Sequence, residues 1–205
     1  MDVKAFFDSM LLMLVLFNPL LMSVYLHDVM ASLDSRTFIN VISRAFLISA
    51  AAFAFFAWAG ERFFVDVIQV RFAAFLIFGG LVFFVIAVRY IVFGAQMLGE
   101  LRGDATHLSG SIAMPFMIGP GTVSASVLVG LKLPVGFAWL AIAVSLIISC
   151  LLLIAVKFLF NYVKLRNEQL LQRYLEAIGR ASALIIGTIA VDMILKGIDL
   201  WRPLN

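Results

Sequence analysis

Six long apolar runs, separated by short polar stretches, account for most of this chain. They cover roughly residues 5–26, 38–59, 72–98, 111–131, 135–160 and 181–201. Each is close to or above the ~20 residues that a helix needs to cross a bilayer. They are continuous rather than alternating and too long for the ~10-residue strands of a membrane barrel. The pattern therefore predicts an all-α membrane protein with six transmembrane helices. Between the runs lie "HDVMASLDSR" (27–36), read as a polar turn, and "GERFFVDVIQVR" (60–71), a short amphipathic connection. "GELRGDATHLSG" (99–110) reads as a glycine-rich loop and "KLP" (132–134) as a tight turn. "NYVKLRNEQLLQRYLEAIGR" (161–180) reads as a basic amphipathic helix lying along the membrane face.

Composition agrees with the pattern. Of 205 residues, 64% are hydrophobic and 13% charged, and the mean hydropathy is +1.11. Soluble domains are nearer to half apolar and a quarter charged, so the solvent for most of this surface must be lipid. The net charge of +3 is scattered along the chain, which argues against a nucleic-acid partner. The first run lacks the basic flank of a signal peptide and reads as a retained helix. With both termini outside, the inner loops would hold Arg36, Arg102, Lys164, Arg166 and Arg173, a modest bias toward that orientation.

Two apolar runs contain a proline where a spanning helix would ordinarily have none. "FNPLLMSV" carries Pro19 and "IGPGTVSA" carries Pro120. The two halves are alike in other ways. "RFAAFLIFGG" (71–80) opens the third run and "RASALIIGT" (180–188) opens the sixth, each with an arginine, then small and apolar residues, then glycine. Three helices per half is an odd number, so the second half must enter the bilayer from the opposite face. The expected architecture is two inverted three-helix repeats, residues 1–98 and 111–205, joined by a polar linker at 99–110, with helices 1 and 4 broken at their prolines.

Proline removes an N–H and pushes against the carbonyl four residues back, here Val15 and Phe116. In hydrocarbon an unpaired backbone group costs several kcal/mol, roughly, so each break should face protein or a wet cavity. Asn18 before Pro19, and Gly119 before Pro120, pair a favoured N-cap with proline at the first helical position. Gly121 lets backbone approach a bound group. Helix starts present N–H groups and partial positive charge to a carboxylate; the ends of the preceding segments present carbonyls to an ammonium group. A small zwitterion fits between such ends. A single proline is more often a plain kink, but paired interrupted helices in matching repeats point to a transporter binding site.

These motifs resemble the MarC family of six-helix membrane proteins, whose members include small neutral amino acid transporters. The resemblance covers nearly the whole chain. It rests on "FNP" (17–19), "RFAAFLIFGG", "MPFMIGPGTVS" (114–124) and "IGTIAVDMILKGI" (186–198). It implies substrate held at the breaks of helices 1 and 4, with Asn18, Pro19, Gly119, Pro120, Gly121 and Thr122 as the candidate site. Leu20 and Leu21 stand where the family carries a glycine and would narrow the site or make it more apolar. Ser124 could line the cavity or pack between helices. Asp192 stands where the family favours Gln.

Asp192 and Lys196 lie four apart on one helical face. They could carry a coupling proton on Asp192, or form a structural pair with Lys196 snorkelling outward. Arg44, Arg89 and Lys157 read as solvated at helix ends. Arg71 and Arg180 read as headgroup anchors or partners of loop carboxylates such as Asp66 and Glu176. His27, His107 and Cys150 form no metal-ligand spacing, no nucleophile–base set appears, and no cofactor is implied. The expected function is a multi-pass transporter of the bacterial inner membrane that moves small neutral amino acids or similar zwitterions by alternating access. A proton or sodium ion is the candidate coupling ion. An export or stress-related protein on the same scaffold, and a non-transporting membrane subunit, are the rival readings.

Overall fold

The computed structural model describes residues 3–93, 117–164 and 168–201. Among them every regular element is helical. The elements are α1 (Val3–Phe17), α2 (Pro19–Tyr25), α3 (His27–Ser32), α4 (Ser35–Arg62), α5 (Phe72–Phe93), α6 (Pro120–Lys132), α7 (Val135–Lys164) and α8 (Glu168–Trp201). Five stretches are long and apolar enough to cross a membrane: Val3–Ser23, Ser35–Val67, Phe72–Phe93, Val135–Val163 and Glu176–Trp201. α6 is apolar but shorter. Residues 94–116, which include the linker at 99–110 and the start of the fourth run with Pro115 and Phe116, lie outside the described residues.

Local chemistry sets the boundaries. Asp34 caps α4, its carboxylate accepting the N–H groups of Arg36 (3.0 Å) and Thr37 (3.2 Å). Those bonds, with the Thr37 side chain first among them, hold the Asp34 carboxyl below its ordinary range. At the far end Gly60 takes φ +60° and kinks α4, and one π-helical turn at Phe63–Val67 follows. The connection expected at 60–71 is therefore largely wound. Leu33 and Leu133 adopt extended backbone and end α3 and α6, so α6 and α7 meet at the tight turn expected from Lys132 to Pro134.

Two expectations are corrected. The polar stretch at 27–36 contains a helix, α3, not only a turn. The segment at 161–180 does not form a separate surface helix: its start extends α7 to Lys164, and from Glu168 it runs unbroken into α8. No proline stands between Glu168 and Trp201, and the glycines within are tolerated because each meets a neighbour. Gly179 lies against Tyr90, Gly187 against Ala87 and Gly197 against Ile77.

Those contacts also define how α5 and α8 pack. Gly197 faces Ala73 and Ile77, Gly80 faces Ala190 and Ile194, and Gly179 faces Tyr90. The helices therefore run antiparallel along their length. A methyl on Gly80 would come within 2.7 Å of the Ala190 carbonyl oxygen, so the backbones are as close as packed backbones allow, the usual role of small residues between membrane helices. Gly130 of α6 abuts the backbone of Ala57 in α4 in the same way. Elsewhere α1 packs on α7, α4 on α7, α5 on α6, α2 on α8, and α1 on α6.

The centre is filled by Met13, Phe38, Ile42, Phe53, Leu76 and Ile142, all buried. Small hydroxyls tie helices together: Ser145 Oγ lies 2.9 Å from the Met10 carbonyl and Ser49 Oγ 3.5 Å from Met117 Sδ. The exterior is strongly apolar, with Leu47, Trp58, Val85, Ile147 and Leu151 outward, as a lipid-facing surface requires.

Candidate functional site

The sequence marked two helix starts. At the first, α1 stops at Phe17 and α2 starts at Pro19, with Asn18 between them at φ +36°. Asparagine tolerates the left-handed region better than most residues. Its Oδ1 accepts the N–H of Leu21 at 3.0 Å, the bond expected of an N-cap. The ladder nearly bridges the irregularity, because Asn18 N–H reaches the Leu14 carbonyl (3.1 Å) and Met22 N–H the Asn18 carbonyl (2.9 Å). Asn18 Oδ1 is also approached by Ser182 Oγ of α8 at 3.4 Å.

At the second, Gly119 is extended (φ −99°, ψ 165°) and α6 begins at Pro120. Thr122 organises this cap. Its Oγ1 accepts the N–H of Gly119 (3.0 Å), and its proton is shared between the carbonyls of Met117 (2.7 Å) and Gly119 (3.0 Å). The first ladder bond runs from Val123 N–H to the Gly119 carbonyl at 3.0 Å. The N–H groups of Gly121 and Thr122 precede that bond, at the positively polarised end of the helix. The ring of Phe83, from α5, covers Gly121 so closely that a methyl there would overlap it.

Pro19, Gly121, Thr122 and Ser124 are buried, while Asn18 and Gly119 are partly so. Leu20 does not join them: its side chain is 41% exposed and turned outward, and its carbonyl accepts from Ser23 Oγ at 2.6 Å. Leu21 is the buried member of that pair. Ser182 and Phe83 were not singled out from the sequence. Ser182 comes from α8 and Phe83 from α5, far in sequence from the caps they touch, and no local signal marks either.

The remaining charged residues sort by exposure. Asp192 and Lys196 pair at 2.6 Å with side chains 56% and 57% exposed, on the outside of α8. Arg180 pairs with Glu176 at 2.6 Å, and Arg71 stacks 4.7 Å over the Trp201 ring. Glu61, Arg71 and Trp201 border a half-open cavity of about 330 Å³ where α5 begins and α8 ends, apart from both caps. Lys157 overturns its expected solvated position. It is 2% exposed and donates to the carbonyls of Met30 and Leu33, the latter at 2.9 Å, with the Phe38 and Phe160 rings beside it. No group of three metal-ligating side chains occurs among the described residues.

Five long apolar helices, a greasy exterior and interhelical contacts through small residues define a multi-pass integral membrane protein. The family model described as MarC family integral membrane protein matches residues 3–201, and the chain belongs to that family. No curated protein matches the chain, and no solved structure does.

Proposed function

We propose that this chain is a secondary transporter of the bacterial inner membrane, with no enzymatic activity, that moves small neutral amino acids or similar zwitterions by alternating access. In this reading the carboxylate sits at the start of α6, on the N–H groups of Gly121 and Thr122. The Asn18 carboxamide and nearby carbonyls take the ammonium end. The carrying observation is the Gly119–Thr122 cap, a buried helix start whose polar groups are ordered by one hydroxyl.

The architecture in this reading is six spans in two inverted repeats, with α6 the second part of the fourth span and both termini outside. The pattern of contacts supports it. Exchanging α1 and α2 with α6, α4 with α7, and α5 with α8 carries each principal contact between the halves onto itself or another. Thus α1 on α7 corresponds to α4 on α6, and α2 on α8 to α5 on α6. Transporters with inverted repeats bind substrate where the repeats meet. A proton or sodium ion would supply the driving force.

The test is counterflow in vesicles: purified protein, unlabelled amino acid inside, labelled amino acid outside. Transient accumulation of label for alanine- or serine-sized molecules is expected. A blank across the neutral amino acids would favour a different exported substrate or a non-transporting subunit.

A further inference from the structure

On the outside of α8, Thr188, Asp192, Lys196 and Asp199 follow one another at helical spacing, all exposed. The rest of that face is apolar, with Leu184, Val191 and Leu195 outward. Lipid satisfies leucine and valine but not a carboxylate and an ammonium. The depth of the pair matters. Gly80 faces both Ala190 and Ile194, so Asp192 lies level with Gly80. Gly80 is roughly 12 Å in from Phe72 at about 1.5 Å per residue. Asp192 is therefore well inside the span and beyond the reach of the headgroups. Ionised groups at such depth ordinarily face protein or a wet cavity.

We propose that this face of α8 is the contact between two copies of the chain, closed by Asp192 and Lys196 of each. The occupant follows from charge complementarity. Two copies inserted the same way are related by a twofold axis along the membrane normal, which sets their α8 helices parallel. The two carboxylates then share one depth and the two amines lie one turn nearer the surface. Each carboxylate sits between its own Lys196 and Lys196 of the partner subunit. The four charges sum to zero and leave the lipid. A twofold contact must be self-complementary, and an acid and a base one turn apart on one face satisfy that, in the manner of the paired charges that fix partners in coiled coils. Thr188 and the flanking leucine and valine side chains complete the packing.

The test uses full-length chains carrying two different affinity tags, expressed together and purified in lipid nanodiscs. Wild-type copies are expected to co-purify as dimers. Asp192→Lys alone and Lys196→Asp alone each place like charges across the axis and should give monomers. Expressed together, these two variants should recover the dimer. The pair within each helix is broken in both chains, so recovery reports only pairing between chains. As a check that leaves the charges intact, Leu195→Cys in a Cys150→Ser background should cross-link to a dimer on mild oxidation in membranes. Ile147→Cys on α7 should not. Monomeric wild type in nanodiscs, failure of the mixed variants to co-purify where wild type does, absence of the Leu195→Cys cross-link, or occupation of this face by a different protein would each overturn the proposal.

Discussion

Replacing Lys157 by methionine should destabilise the protein without touching either helix cap. Lys157 lies on α7, inside the stretch Val135–Val163, and it holds the carbonyl end of α3 through Met30 and Leu33. One turn further on, Asn161 Nδ2 bonds Ser35 Oγ at 3.2 Å, so the end of α7 clamps the end of α3 to the start of α4. Methionine fills most of the same volume but has no donor. Each carbonyl left unpaired away from water costs about 1–3 kcal/mol. Part of that is returned because an ammonium no longer has to be held away from water. A net loss of about 2–4 kcal/mol is expected. Steric trapping or equilibrium unfolding in mixed micelles measures it directly. A change below about 0.5 kcal/mol, the range of ordinary surface substitutions, would refute the clamp.

Other consequences follow from the same geometry. Gly130→Ala should force α4 and α6 apart, because the new methyl meets the Ala57 backbone, at about 1–3 kcal/mol. Gly136→Ala, with nothing within 4 Å, should be neutral or slightly stabilising in the same unfolding assay. Asp34 titrates lower in the folded chain than its ordinary value of 3.8, so its cap contributes fully above the unfolded value and is lost as the pH falls through the folded one. Melting followed from pH 6 to about pH 3 should show that loss in wild type, and Asp34→Asn, which keeps an acceptor, should remove that component.

Much of this architecture was legible in the periodicity. The apolar runs at 5–26, 38–59, 135–160 and 181–201, and the described part of the run at 72–98, up to Phe93, fall on long apolar helical stretches, because length and continuity of apolar sequence alone decide what lipid will accept. The Asn18 cap was legible too, since an Asn-Pro pair has few other uses inside such a run. Three things were not. The stretch 161–180 reads as an interfacial helix because its outer face is charged, yet no proline lies between Glu168 and Trp201 to separate it from the span that follows. Lys157 near a helix end looks the same in sequence whether it snorkels or turns inward. Its choice is made by the carbonyls of α3, which exist as partners only once that helix winds in what reads as a turn. Ser182 on α8 and Phe83 on α5 reach the caps from helices distant in sequence, and no local pattern encodes that contact.

The central claim is that the ordered start of α6 holds the substrate, and Thr122 is its organising group. The most direct measurement is counterflow of a labelled neutral amino acid by vesicles containing Thr122→Ser or Thr122→Val beside wild type, at matched amounts of folded protein. The serine variant keeps the hydroxyl that bonds Gly119 and Met117 and should exchange at close to the wild-type rate. The valine variant keeps the shape and loses the hydroxyl, and should lose at least about tenfold, which corresponds to one hydrogen bond of about 1.4 kcal/mol. Equal exchange by all three proteins would contradict the account.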